Sequence, residues 1–263
     1  MRLQYVSDLH LDQRTKTTYE EILKPTVAPV LVLLGDVCDL KSSHLRPFFE
    51  WCSERWTTVL WIPGNLEVWE SGFTDPADAV RTMKLLVAPY ANVHVLYCEA
   101  MGSDDGLILL SCPLWRRPRD DVMLHVRGKI WAKSDLCPTD KGIFLNEYNR
   151  CRRWLESYLS KCDKPVIVLG HYAPVPWLTE EEWAQERTSS MTEPELELLL
   201  KKPLVAWLFG HCHVPVTQHY TWTDTTGAQN TVLLTSNPFF QGYKKDAVVR
   251  IDPSLYDASD NNF

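Results

Sequence analysis

The sequence predicts an α/β sandwich with sheets inside and helices outside, a four-layer αββα arrangement with mixed central sheets. Two observations carry that reading. Short apolar runs bounded by turn residues recur along the chain at the length of buried strands. Segments with helical periodicity separate the early runs, whereas strand-like runs follow one another closely after Leu204.

The predicted strands cover 3–6, 30–34, 59–62, 107–111, 166–169, 205–209, 231–235 and 247–251. Most are continuous Val, Ile and Leu runs, the pattern of strands buried on both faces. The predicted helices cover 44–55, 76–87 and 144–161, where apolar residues recur at three- and four-residue spacing. Two segments, 113–142 and 174–192, combine Pro, Trp and charge and are long for structureless loops, so they are candidate lids. No repeat, low-complexity tract or flexible linker interrupts the chain, which reads as one domain over 1–263.

Composition narrows the function classes. Hydrophobic residues make up 45% of the 263 and charged residues 23%, enough to bury a substantial core. The net charge of −7 argues against a nucleic-acid partner held by counterion release. A nucleotide-like substrate stays open, because bound metal supplies positive charge locally. No apolar stretch is long enough to cross a membrane, and the N-terminus enters a strand directly without a signal peptide. The eight cysteines, at 38, 52, 98, 112, 137, 151, 162 and 212, form no Cys-x-x-Cys pair. They read as reduced thiols of a cytoplasmic protein, neither a zinc finger nor a disulfide framework.

The chemistry-bearing residues sit just after the apolar runs. Asp8-Leu9-His10 follows the first, Gly35-Asp36-Val37-Cys38-Asp39 the second and Gly64-Asn65-Leu66-Glu67 the third. Gly170-His171 and Gly210-His211-Cys212-His213 follow two later ones. Loops at the carboxyl ends of strands in an open α/β sheet converge on one crevice. Alternation on an extended segment would point both side chains of Asp-x-His and of His-x-His the same way. Asp8, His10, Asp36, Asn65, His171, His211 and His213 are therefore the candidate metal ligands. Carboxylate, amide and imidazole donors suit Mn, Fe or Zn better than Ca. Seven donors exceed one tetrahedral ion and suffice for two ions sharing a carboxylate.

These five motifs, in this order, resemble those of the calcineurin-like metallophosphoesterases from Asp8 to about Ile251. Within them the chain is similar to the small bacterial and protist phosphoesterases, through Ser7-Asp8-Leu9-His10-Leu11, Leu114-Trp115, Asn237-Pro238 and Gly242-Tyr243. The resemblance implies that Asp8, His10 and His213 hold a first divalent metal. It implies that Asn65, His171 and His211 hold a second, with Asp36 bridging and a hydroxide between the ions attacking phosphorus. Manganese is the first expectation for both ions, with iron or zinc as alternatives. The catalytic set implied is Asp36, Asp39, Asn65 and His171, acting on a phosphodiester or nucleotide-like small molecule.

The chain departs from the family at the third motif, where Leu66 stands in place of the histidine that protonates the leaving oxygen. Asp39 thereby loses its expected partner. Easily expelled leaving groups would tolerate that loss, and His125, His94 or a metal-held water are possible replacements. The alternative function is a metal-binding scaffold that turns over weakly or not at all. Leu40-Lys41 after Asp39 departs from the protein phosphatases, which have Arg-Gly there, and the acidic balance argues against a nuclease.

Other residues read as structural. Glu67 reads as a loop-holding carboxylate, and Cys38 and Cys212 as buried packing. His44, His94, His125 and His219 read as ordinary histidines. Trp115, Trp177 and Trp183 could stack on a base but read first as packing. Arg116, Arg117 and Arg119 could meet phosphate but read first as a solvated cluster, and Glu180-Glu181-Glu182 as a helix start.

Overall fold

The computed structural model describes residues 1–14, 18–25, 27–115, 124–126, 129–131, 138–175, 178, 194–239 and 243–252. The first half alternates strand and helix: β1 (Arg2–Val6), the short and unpredicted α1 (Tyr19–Ile22), β2 (Val30–Leu34), α2 (Leu45–Ser53) and β3 (Thr58–Ile62). A π-helical turn over Leu66–Glu70 leads to α3 (Pro76–Val87), which Asp75 caps by accepting the Ala77 N–H at 2.8 Å. Then come β4 (Val93–Val95), β5 (Glu99–Gly102), β6 (Ile108–Ser111), β7 (Leu124–Val126), β8 (Lys129–Trp131), α4 (Pro138–Leu159) and β9 (Val166–Leu169). A 3₁₀ turn over Pro194–Leu199 precedes β10 (Leu204–Phe209), β11 (Val216–Thr223), β12 (Gln229–Ser236) and β13 (Val248–Arg250).

Two mixed sheets result. The first runs β13-β1-β2-β3-β4, parallel except for antiparallel β13. The second runs β11-β12-β10-β9-β6-β5, with a parallel centre and antiparallel edges. Strand alternation divides the apolar side chains between two layers. Tyr5, Leu34, Leu60 and Ile62 of the first sheet join Leu109, Ile167, Leu169 and Leu208 of the second in one buried cluster. Their neighbours Leu33, Val59 and Trp61 turn outward to Phe48, Phe49 and Met83 of the helices. The second sheet's outward Leu110 and Val168 share that cluster with Cys151 and Leu155 of α4. Helix, sheet, sheet and helix are therefore layered as the sequence predicts.

Several details differ from the sequence reading. Strands β4, β5, β7, β8 and β11 were not predicted: four are three or four residues long, and β11 alternates against solvent along most of its length. Helix α4 begins at Pro138, earlier than the predicted 144, with proline at the position where its missing N–H costs nothing. The candidate lid 113–142 thus contains the β7–β8 hairpin and the start of α4. Most of 174–192, with Trp177, Trp183 and the glutamate run, lies outside the described residues, as do Arg116, Arg117 and Arg119.

Candidate metal centre

All five motifs leave the carboxyl ends of parallel strands, three in the first sheet and two in the second, so they meet at the seam between the sheets. Backbone hydrogen bonds lock neighbouring loops together. Asp8 N–H donates to Gly35 O at 3.0 Å, His10 N–H to Asp36 O at 3.1 Å, and Gly210 N–H to His171 O at 2.8 Å. The His211 N–H crosses the seam to the Asp8 carboxylate, at 3.0 Å from Oδ2.

The expected extended Asp-x-His and His-x-His geometry is not what the chain adopts. Asp8 (φ 58°), His10 (45°), Asp36 (54°), His211 (64°) and His213 (55°) all lie in the left-handed region. Each such conformation costs on the order of 1–3 kcal/mol and persists only where the surroundings enforce it. Left-handed turns, rather than strand alternation, gather these side chains at the seam.

Two donor clusters result. Asp8, His10 and His213 bring their donor atoms within 4.8 Å of one another, and so do Asp36, His171 and His211. Asn65 joins the second: its Oδ1 lies 3.0 Å from His171 Nε2, while its amide nitrogen donates to Glu70 Oε1 at 2.8 Å. Glu70 thereby turns the amide oxygen toward the cluster. His171 Nδ1 donates to Leu34 O at 2.7 Å, which leaves Nε2 facing Asn65 and, at 3.5 Å, Asp36 Oδ1. Such an outer hydrogen bond fixes tautomer and ring orientation in imidazole ligands.

Electrostatics fit a cation. Burial alone would raise the Asp8 carboxyl, but the His213 hydrogen bond and the charges of His171 and His213 hold it below its ordinary value. Asp36 is held low against burial by His171. Burial would lower His171, yet Asp36 outweighs it and pushes the imidazole up to about 9. Carboxylates arranged to favour a proton on Nε2 favour a divalent cation on the same lone pair, and the donor chemistry fits such an ion.

Beneath the clusters, fully buried Glu67 accepts backbone N–H groups from Val37 (2.7 Å), Gly64 (2.8 Å), Asp36 (3.0 Å) and Cys38 (3.4 Å). It ties the second motif to the third, as its loop-holding reading expects. Burial and the charge of Asp36 push its carboxyl up to about 7, against the pull of these donors. The two loops approach so closely that a Cβ at Gly64 would sit 2.5 Å from Asp36 N, and one at Gly35 (φ 83°) would sit 2.8 Å from Gly64 Cα.

A family model described as calcineurin-like phosphoesterase matches residues 1–215. The chain belongs to that family. Its membership makes it a metal-dependent phosphoester hydrolase in general class. Phosphopantetheinyl hydrolase from Mycobacterium tuberculosis is similar in fold, with a TM-score of 0.62 at 17% identity over 93% of this chain and 90% of that one. The TT1561 protein of Thermus thermophilus superposes with a TM-score of 0.51 at 12% identity, covering 90% of this chain and 88% of that one. An uncharacterized protein, L509, of Acanthamoeba polyphaga mimivirus is 22% identical over 80% of this chain and 84% of its own.

The remaining candidates separate. Leu66 is buried, and its backbone N–H donates to Asp36 Oδ1 at 2.8 Å. Asp39 Oδ1 instead takes the Lys41 N–H at 2.9 Å and the Ser71 hydroxyl at 3.2 Å. His94 lies on edge strand β4, paired with Leu60, and His219 is exposed on β11. His125 falls on β7. Trp115 is 1% exposed and donates to Tyr97 OH at 2.7 Å, so it packs rather than presenting a stacking face. Cys38 and Cys212 are buried, as expected. The sequence reading missed Glu70 and Tyr172. The Tyr172 ring lies 4.2 Å from that of His211, and its hydroxyl 3.4 Å from Asn65 Oδ1. Adjacency to Gly170-His171 was the one available signal.

Proposed function

We propose that the protein hydrolyses a phosphodiester or nucleotide-like small molecule using two divalent cations, manganese first and iron or zinc as alternatives. Two separate three-donor clusters with Asn65 at the edge of one carry this reading. Asp8, His10 and His213 would hold one ion and Asn65, His171 and His211 the other, with Asp36 between. When bound, the ions neutralise phosphate charge and acidify a water for in-line attack.

The chain's own residues orient the reaction. Leu34 O and Glu70 fix His171 and Asn65, and Glu67 holds the Asp36 loop against the Gly64 turn. With Leu66 supplying no proton, the protein favours esters whose leaving oxygen departs easily. Asp39, held by Ser71, positions the 36–41 loop in this chain. The described thiols are all free, which suits a reducing, cytoplasmic setting. No described helix is long and apolar enough to cross a membrane.

The test is hydrolysis of bis-p-nitrophenyl phosphate and p-nitrophenyl phosphate by Mn²⁺-loaded protein, beside Asp36→Asn. Metal-dependent diester cleavage lost in Asp36→Asn is expected. Metal binding without turnover of either ester would sink the hydrolase reading and leave the scaffold.

A further inference from the structure

Cys98, Cys112 and Cys151 are scattered in sequence, and the fold brings them to one point. Cys98 directly precedes β5 and Cys112 directly follows β6. The antiparallel ladder pairs Glu99 with Ser111, so the two cysteines lie one step beyond that pair. Cys151, on α4, packs onto the outer face of the same sheet. The three Sγ atoms all lie within 4.8 Å of one another, with Cys98 and Cys151 at 3.4 Å. Tetrahedral thiolate coordination with metal–sulfur bonds of about 2.3 Å sets sulfurs roughly 3.7–3.8 Å apart, so little movement is needed to receive an ion.

We propose that Cys98, Cys112 and Cys151 form a second metal site, a three-thiolate cradle for one soft cation, Zn²⁺ or Cu⁺. Thiolates select such ions over the harder Mn²⁺ or Mg²⁺ suited to the seam between the sheets, and the two sites share no residue. Cys112 and Cys151 are fully buried, while half-buried Cys98 gives the ion a way in. Cys98 also sits at φ 49°, a left-handed conformation that a non-glycine residue rarely holds, as several candidate ligands at the seam do.

Three thiolates around a divalent ion carry one net negative charge. Without an ion, the Cys151 thiol donates to Glu147 Oε1 at 3.7 Å and lies 3.9 Å from Tyr97 OH. Exchanging that proton for the ion sets Cys151 against the Glu147 carboxylate, whose charge Arg150, bonded to it at 3.0 Å, offsets. A bound ion would tie α4 to the β5–β6 end of the second sheet. Tyr97 then connects through Trp115 to Tyr172, whose rings lie 6.3 Å apart, and so to the family's metal centre.

Cobalt(II) is the probe, because thiolate coordination produces an intense near-ultraviolet charge-transfer band that oxygen and nitrogen donors do not. Reduced, metal-free full-length protein is expected to develop the band on Co²⁺ addition and to lose it when Zn²⁺ displaces the probe. Asp36→Asn is expected to retain it. Cys98→Ser and Cys151→Ser are expected to lose it, while Cys52→Ser is not. If the serine variants fail to fold, alkylating Cys98 in native protein before adding Co²⁺ serves instead and must abolish the band. A wild-type protein without the band, or a band that survives loss or blockage of Cys98, overturns the proposal.

Discussion

Leu66 and Glu67 are adjacent, and their consequences can be separated by measurement. Leucine cannot protonate a leaving oxygen, and general acid help is typically worth about 10²–10⁴ in rate. Ser71 Oγ links the two motifs, 3.2 Å from Asp39 Oδ1 and 2.8 Å from Leu66 O. Leu66→His is therefore expected to raise kcat toward that range, most for esters with poor leaving groups. Equal gains for good and poor leaving groups would show that proton donation is not what the site lacks. Glu67 predicts the opposite sort of effect. Its carboxylate faces four backbone donors, so Glu67→Gln turns an amide NH₂ toward N–H groups that have nowhere else to bond. A buried donor stripped of its acceptor costs about 1–3 kcal/mol. Thermal unfolding of Glu67→Gln is expected to show a loss of at least that size, and an unchanged Tm would remove Glu67 from its assigned role.

At the scale of elements, legibility followed burial. Strands β1, β2, β3, β9 and β10 are wrapped on both faces, so their apolar runs could be read directly. Strand β11 pairs along all of Thr217–Thr223 with β12 but faces solvent, so although its Thr, Tyr and Trp favour strands it has no continuous apolar run of the kind that marked the buried ones. The seven candidate ligands could be read because each follows a strand, yet the left-handed backbone of five of them could not, because it is imposed by contacts between distant loops. The same limit hid the cysteine triad, assembled from two strand ends and a helix. The turn joining β11 to β12 illustrates side-chain control of an element. Asp224 accepts from Thr226 Oγ1 (2.6 Å), Thr226 N (2.9 Å), Ala228 N (3.0 Å) and Asn230 Nδ2 (2.8 Å). The Thr226 and Asn230 hydrogen bonds lower its carboxyl from 3.8 to about 2. A depressed folded-state pKa means support that is present above about pH 4 and lost as pH falls toward 2. Protection of β11 amides, exchange measured relative to the intrinsic rate at each pH, is expected to fall across that window in the wild type. In Asp224→Ala protection is expected to be low already at neutral pH, and matching profiles for the two proteins would refute this.

At the scale of the whole molecule, the candidate metal centre lies at the seam between the two sheets. Asp8, His10, Asp36 and Asn65 belong to loops of the first sheet, and His171, His211 and His213 to loops of the second. Across that seam the loops hold through a few polar links, such as His211 N–H to Asp8 and His171 Nδ1–H to Leu34 O. The interior below is an apolar cluster that either sheet shares equally. Five strained conformations at candidate ligands concentrated here oppose folding, so ions that bind only the assembled site should offset that strain. Binding to the native state alone stabilises by about 4 kcal/mol when free ligand is at 1,000 times Kd. Mn²⁺ is therefore expected to raise Tm progressively with concentration, and chelator to reverse it. In His211→Ala, which removes one of two second-sheet donors to that ion, the slope of Tm against log metal should fall because only His171 still ties the ion to the second sheet. A Tm that ignores metal in the wild type would mean the loops are held by protein contacts alone, and the strain would need another source of compensation.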